Sequence, residues 1–123
     1  MTTSLDPKPR SYASGGMLLA GASQLLFITA QVPEAADGSV PAGFEAQARL
    51  VWQNLLGVLA EAGMTERNLV RVGFYLADRA YREANSRIRH EMLGDGHQVA
   101  QTILITGIFD ESWLLAIDAV AAA

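Results

Sequence analysis

One acid stands inside an apolar run near the end of the chain, Leu114-Leu115-Ala116-Ile117-Asp118-Ala119-Val120, with no basic residue near it in sequence. An ionised carboxylate among apolar neighbours loses hydration, and a donor or a water must offset that loss. Without one, its pKa rises. A carboxylate held in this way is one means of moving a proton or activating a water. The alternative is an Asp at a strand end that turns to solvent.

Most other chemistries lack their residues. The chain has no cysteine, which excludes disulfides, thiolate catalysis and Cys-based zinc sites and fits a reducing compartment. His90 and His97 have no companions at a metal-ligand spacing and read as surface residues. The formal net charge is -4, and an acidic chain without a long basic run is a poor nucleic-acid binder. Arg79, Arg82, Arg87 and Arg89 fall close together but are interleaved with Glu83 and Glu91, the pattern of a solvated helix face. No apolar stretch approaches the ~20 residues that cross a bilayer. Met1 to Arg10 is polar, with two prolines, unlike a secretory signal. The expectation is a soluble, cytoplasmic protein without nucleic-acid or membrane partners.

The elements that must position Asp118 follow from periodicity. With 123 residues, 50% hydrophobic and 18% charged, the chain makes one domain with a real core. Residues 1–9 read as a flexible arm, and residues 10–123 as the domain. Ser11 to Ala20 carries a weak strand signal broken by Gly15-Gly16. Leu25 to Thr29 is a stronger strand, and Ala20 to Ser23 between them suggests a hairpin. Pro33 to Gly43 is a loop. Phe44 to Ala62 is a helix, with Leu50, Val51, Leu55, Val58, Leu59 and Ala62 as its apolar stripe and Gly63 as its stop. Val70 to Leu76 alternates as a strand, with Val70, Val72, Phe74 and Leu76 on one face. A second helix runs from Tyr81 to Met92 or Leu93 and ends at Gly94-Asp95-Gly96. Gln101 to Ile108 and Leu114 to Val120 are the last strands. The order β-β-α-β-α-β-β predicts an α+β layer in which two helices cover one face of a sheet.

Three of these strands, Leu25 to Ile28, Ile103 to Ile108 and Leu114 to Val120, are apolar on both alternating faces. Continuously apolar strands are buried on both sides, and two helices cover only one. Copies of the same chain are expected to cover the other, in an obligate oligomer with pockets at its seams.

Several local words, in order, resemble the Rid family, also called YjgF-type or reactive-intermediate deaminases. They are Leu26-Phe27-Ile28-Thr29-Ala30-Gln31-Val32-Pro33, Gln47-Ala48-Arg49, Asn54-Leu55 through Glu61-Ala62-Gly63, Asn68-Leu69-Val70-Arg71-Val72, Tyr75-Leu76-Ala77-Asp78, Asn85, and Ala116-Ile117-Asp118-Ala119-Val120-Ala121. The resemblance runs from about Ser11 to Ala122. It implies a chorismate-mutase-like fold with a mixed sheet, a homotrimer with three pockets between subunits, and no metal or organic cofactor. It also implies hydrolysis of reactive enamines and imines to carbonyl compounds and ammonia; some members have been described as ribonucleases.

The resemblance further implies a site. Asp118 stands where the family carries a Glu that helps hold the attacking water, so it is the candidate catalytic residue. Tyr12 matches a pocket tyrosine. Thr29 and Ala30 replace Ser-Gly, and Asn85 could orient a polar substrate group or bond to the next loop. The family's Pro-Ala-Arg-Ser/Thr word, whose Arg clamps a substrate carboxylate, becomes Val99-Ala100-Gln101-Thr102 here, with Ile103 following. Gln101 therefore takes the place of the Arg. A guanidinium offers a charged, planar fork, and its charged hydrogen bonds are worth ~1.5–3 kcal/mol against about 1 for neutral ones. Either the substrate lacks the carboxylate, another arginine such as Arg10 or Arg87 reaches in, or the chain binds a small molecule without turning it over.

Overall fold

The computed structural model describes residues 1–8 and 15–123. The first helix, α1 (Phe44–Glu61), follows from its stripe. Phe44, Ala48, Val51, Trp52, Leu55 and Leu59 recur every three or four residues and are all buried. Gly63 ends it with a φ of 71°, a conformation open to glycine. The neighbouring Met64 N–H donates back to the Leu59 carbonyl at 2.9 Å. The second helix, α2 (Arg82–Leu93), stops at Gly94, whose N–H bonds to the His90 carbonyl.

The main sheet has four strands in the order β3 (Leu25–Gln31), β6 (Leu115–Ala122), β4 (Leu69–Leu76), β5 (Ala100–Ile105). β6 runs antiparallel to both neighbours, and β5 runs parallel to β4. Parallel strands need a crossover, and α2 lies in the connection. The helices pack on one face. There Val72, Phe74, Leu76, Leu115, Ile117 and Ala121 are fully buried with Trp52, Leu55 and Ile88. The expected α+β arrangement, two helices on one face of a mixed sheet, is what the chain forms.

Alternation assigns the other face. The paired positions Arg71, Gly73 and Tyr75 of β4 sit beside Val120, Asp118 and Ala116 of β6 and beside Ala100, Thr102 and Leu104 of β5. Leu25 and Phe27 of β3 join them through Ala122 and Val120. Among the described residues several of these apolar side chains stay open to solvent: Phe27 is 73% and Leu104 49% exposed.

The N-terminal half of the sheet departs from expectation. The segment read as a flexible arm contains a strand, β1 (Thr2–Leu5), paired with β2 (Gly16–Leu19) in a separate two-stranded ribbon. Its Thr-Thr-Ser sequence has strand-forming threonines but no apolar alternation, so it carries little sequence signal. The hairpin expected between β2 and β3 does not form. β3 pairs with β6 instead, which puts Ile28 in the core. The N–H groups of Ser23 and Gln24 both donate to the Ala123 carbonyl and steer the chain that way. β5 also ends earlier than expected, at Ile105.

Candidate functional site

Asp118 has partners, and they come from β4. Arg71 Nη1 donates to Asp118 Oδ1 at 3.3 Å, and the Tyr75 hydroxyl donates to Oδ2 at 3.0 Å. The register explains the convergence. Gly73 is directly opposite Asp118, and Arg71 and Tyr75 stand two residues to either side of it, on the same face. The carboxylate leans over Gly73. A Cβ there would lie 2.3 Å from Asp118 Oδ1, 3.1 Å from Arg71 Nη1 and 3.2 Å from the Tyr75 hydroxyl. Glycine is needed here for space, since its φ is not positive.

The donors that an ionised acid in an apolar run requires come from far along the chain: the cation lies 47 residues away. It stands opposite the acid because of pairing that sequence proximity does not report. Both partners were nevertheless partly readable, because Arg71 and Tyr75 alternate with the core residues Val72, Phe74 and Leu76. The Asp118 carboxylate raises the Tyr75 pKa above its ordinary value, first by accepting the phenol's hydrogen bond and then through desolvation and charge. Arg71 and Asp118 both stay partly exposed. The cluster can thus present a fixed carboxylate, a phenol donor and a guanidinium to one small ligand, and the carboxylate can take a proton from a bound water.

The other expected site residues separate into groups. Thr102 shares the open face, in the row Thr102–Gly73–Asp118, ~10 Å from Asp118 across two strand spacings. Gln101 and Ile103 pair with Val72 and Phe74 and so point to the helix side. Gln101 Oε1 accepts a hydrogen bond from Arg89 Nη1. Within one chain, Gln101 and Asp118 are on opposite faces and cannot touch one ligand. Asn85 lies in the core on the inner side of α2, 1% exposed, and its Nδ2 finds no acceptor among the described residues. It bonds to no neighbouring loop through that nitrogen. Thr29 and Ala30 form a β-bulge: β3 advances three residues from Ile28 to Gln31 while β6 advances two, from Ala119 to Ile117. Bulges re-aim side chains and often border sites, and both residues are exposed. Tyr12 and Arg10 lie outside the described residues.

His97 Nε2 meets the Leu69 carbonyl at 3.1 Å. The ring nitrogen is the donor there, a structural tie between the α2–β5 connection and β4. Among the described residues, no three His, Asp or Glu side chains gather as a metal site would require. No helix among them is long and apolar enough to cross a membrane.

The family described as Endoribonuclease L-PSP matches residues 9–123. The fold is similar to that of YyfB from Yersinia pestis, a Rid-family protein of unknown function, at a TM-score of 0.86 and 23% identity, covering 99% of this chain and 98% of that one. It is also similar to RidA from an Antarctic Psychrobacter, at a TM-score of 0.76 and 17% identity, covering 98% and 96%. A third similar structure is NMB1025 of Neisseria meningitidis, a YjgF-family member, at a TM-score of 0.74 and 18% identity, covering 99% and 94%. No curated protein matches the sequence. The match over residues 9–123 makes the chain a member of the Endoribonuclease L-PSP family, the family of Rid and YjgF proteins.

Proposed function

We propose that this protein hydrolyses a reactive imine or enamine to a carbonyl compound and ammonia, in a pocket shared by neighbouring copies of a homotrimer. The observation that carries this reading is the partly exposed Asp118 carboxylate, fixed over Gly73 by Arg71 and Tyr75 on the sheet face away from the helices.

The chemistry asks little of a protein. An imine carbon is already electrophilic, so the site must hold the substrate, place a water and stabilise the adduct. An enamine first tautomerises to its imine. Asp118 then takes a proton from water as the water oxygen bonds to carbon. The C=N π electrons move to nitrogen, which takes a proton from solvent that the hydroxyl proton replaces at the end. Asp118 then returns its proton to the carbinolamine nitrogen. The C–N bond breaks, ammonia leaves and the C=O bond forms with loss of the hydroxyl proton. Tyr75 and Arg71 hold the carboxylate in position throughout. Any pocket that includes both Asp118 and Gln101 must take them from two protomers, because one chain puts them on opposite faces. That requirement agrees with the exposed apolar side chains Leu25, Phe27 and Leu104, which a neighbouring copy would cover.

The test is ammonia release from a panel of imines with and without a carboxylate. Turnover above buffer that is lost in Asp118→Asn supports the proposal. Buffer-level rates on every imine, or full activity in Asp118→Ala, refute it.

A second reading is a binding or sensing trimer without turnover. It is favoured by the two bonds that Asp118 already accepts, one on each oxygen, as a purely structural carboxylate would. Saturable ligand binding without consumption of the ligand would select it. RNA cleavage, which the family's description suggests, is opposed by the net charge of -4. Unchanged RNA after incubation with purified protein would exclude it.

A further inference from the structure

The two oxygens of the Asp118 carboxylate have chemically different partners. Oδ1 accepts from Arg71 Nη1 at 3.3 Å, and Oδ2 accepts from the Tyr75 hydroxyl at 3.0 Å. A guanidinium has donors and no acceptor, and it keeps its protons at any ordinary pH. A phenol both donates and accepts. Either partner can steady a carboxylate. Only Tyr75 can take a proton from it while giving one up.

The three groups also crowd together. They meet over the bare Cα of Gly73, where a Cβ would lie 3.1 Å from Arg71 Nη1 and 3.2 Å from the Tyr75 hydroxyl. The phenol faces Asp118 from β6 and Arg71 along β4. The β5 residues Thr102 and Leu104 beside them are uncharged, as is all of β2 (Gly16–Leu19). Two opposed influences therefore act on the phenol. The Asp118 hydrogen bond first, then desolvation and the Asp118 charge, tighten its hold on the proton, and Arg71 loosens it. Once Asp118 has taken a proton from water its charge is gone, while that of Arg71 remains. The phenol then becomes a better acid, at the step where the nitrogen needs a proton.

We propose that Tyr75 is a second catalytic residue of this site, the group that hands the leaving nitrogen the proton that Asp118 took from water. The inference rests on the imine-hydrolysis reading of Asp118. In the carbinolamine, oxygen and nitrogen are separate substituents of one carbon. The carboxylate beside the new C–O bond reaches the nitrogen through the phenol. The Tyr75 O–H bond breaks as the N–H bond forms, and the Asp118 O–H bond breaks as the Tyr75 O–H bond forms again. The C–N bond breaks with its electron pair going to nitrogen, and ammonia leaves. The C=O bond forms as the hydroxyl proton passes to solvent. Asp118 ends ionised and Tyr75 ends protonated, as each began.

The experiment compares leaving groups. One imine releases ammonia. A second, of the same carbonyl compound, releases a nitroaniline, whose electron-poor nitrogen departs with little help from an acid. Tyr75→Phe keeps the ring and removes only the hydroxyl. It should slow ammonia release about 100-fold, as loss of a general acid does, and nitroaniline release far less. Asp118→Asn should slow both, because both need the water. A phenol that only steadies the carboxylate would matter equally for the two leaving groups. Equal losses in Tyr75→Phe, or a wild-type rate of ammonia release, would therefore overturn the proposal.

Thermal melting verifies folding of each variant. If Tyr75→Phe does not fold, wild-type protein grown with fluorotyrosine, a more acidic phenol, takes its place. The chain has 3 tyrosines, and their fluorine NMR signals titrate separately. Ammonia release should fall with rising pH along the titration of Tyr75, at lower pH than in unlabelled protein. A fall that tracks another tyrosine, or none, overturns the proposal. Buffer-level rates in the wild-type protein, or full activity in Asp118→Asn, would overturn the imine reading and this inference with it. The Tyr75 outcomes overturn the inference alone.

Discussion

Replacing Gly73 with alanine separates the geometry of the open-face cluster from the stability of the fold. The new Cβ would lie 2.3 Å from Asp118 Oδ1, whereas ordinary contact begins at 3.4 Å. The carboxylate oxygen must therefore retreat by 3.4 − 2.3 = 1.1 Å. The obstructing atom ends a rotatable side chain, and the backbone at Gly73 suits any residue, so the strand need not move. Alanine in place of glycine in a strand stabilises by roughly 0.5–1 kcal/mol. A displaced, partly exposed charge-assisted bond costs about 1 kcal/mol after allowance for solvent screening. The two effects nearly offset each other, and the melting temperature should move by no more than about 5 °C.

Chemistry should respond far more. Misplacing a reacting group by about 1 Å costs ~100-fold in rate, so kcat/KM for imine hydrolysis should fall by about that factor in Gly73→Ala. A second readout needs no substrate. As Oδ1 retreats from Arg71 the carboxylate turns, its Oδ2 should loosen from the Tyr75 hydroxyl, and the raised Tyr75 pKa should fall back toward 10.0, as followed by NMR of labelled tyrosines. Wild-type turnover together with an unchanged Tyr75 titration would refute the account of Gly73 as the space that seats Asp118. Loss of folding would refute the claim that the side chain yields before the strand does.

Three further outcomes are expected. Because the folded-state pKa of Tyr75 is raised, the folded protein holds that proton longer than the unfolded chain does. The stabilisation is complete below pH 10 and is lost as pH rises through the folded value, so denaturant melts should show Tyr75→Phe removing part of the alkaline loss of stability. Gln47→Ala should destabilise by about 3 kcal/mol in urea unfolding. The buried Gln47 amide donates to the Pro41 and Ser112 carbonyls, and its oxygen accepts from the Leu114 N–H, all within 3.0 Å. Phe27→Asp should release single chains in sedimentation velocity. Covering a phenylalanine this exposed is worth ~2 kcal/mol or more at each seam, or about 30-fold in association. A wild-type protein that already sediments as a monomer would refute the covered-face argument.

The helices were legible because their stripes are long and their stops are glycines: Gly63 and Gly94 end α1 and α2 as their positions suggest. The alternation of Val72, Phe74 and Leu76 gave β4 its inner face. What could not be read was which strand lies beside which. The turn at Ala20 to Ser23 suggested a hairpin, but pairing depends on where an apolar strand finds a partner. For Leu25–Gln31 that partner lies far downstream in sequence, with Leu25 opposite Ala122 (122 − 25 = 97 residues) and Phe27 opposite Val120 (120 − 27 = 93 residues). The same blindness hid Arg71 from Asp118. It also hid the one-residue difference in parity that puts Gln101 on the helix side and Thr102 on the open one.

That parity has a consequence for how a site can be assembled. Asp118 and Gln101 each gather a guanidinium, Arg71 on the open face and Arg89 on the helix side. The first guanidinium is matched to a carboxylate and the second, among the described residues, to neutral groups. In a single chain the two arrangements are separated by the thickness of the sheet. β5, however, is the edge strand, and Gln101 lies on it. A pocket that joined Asp118 to Gln101 would need a second protomer whose open face met this edge, with neither strand changing its register. Gln101, uncharged itself, fixes the Arg89 charge beside it.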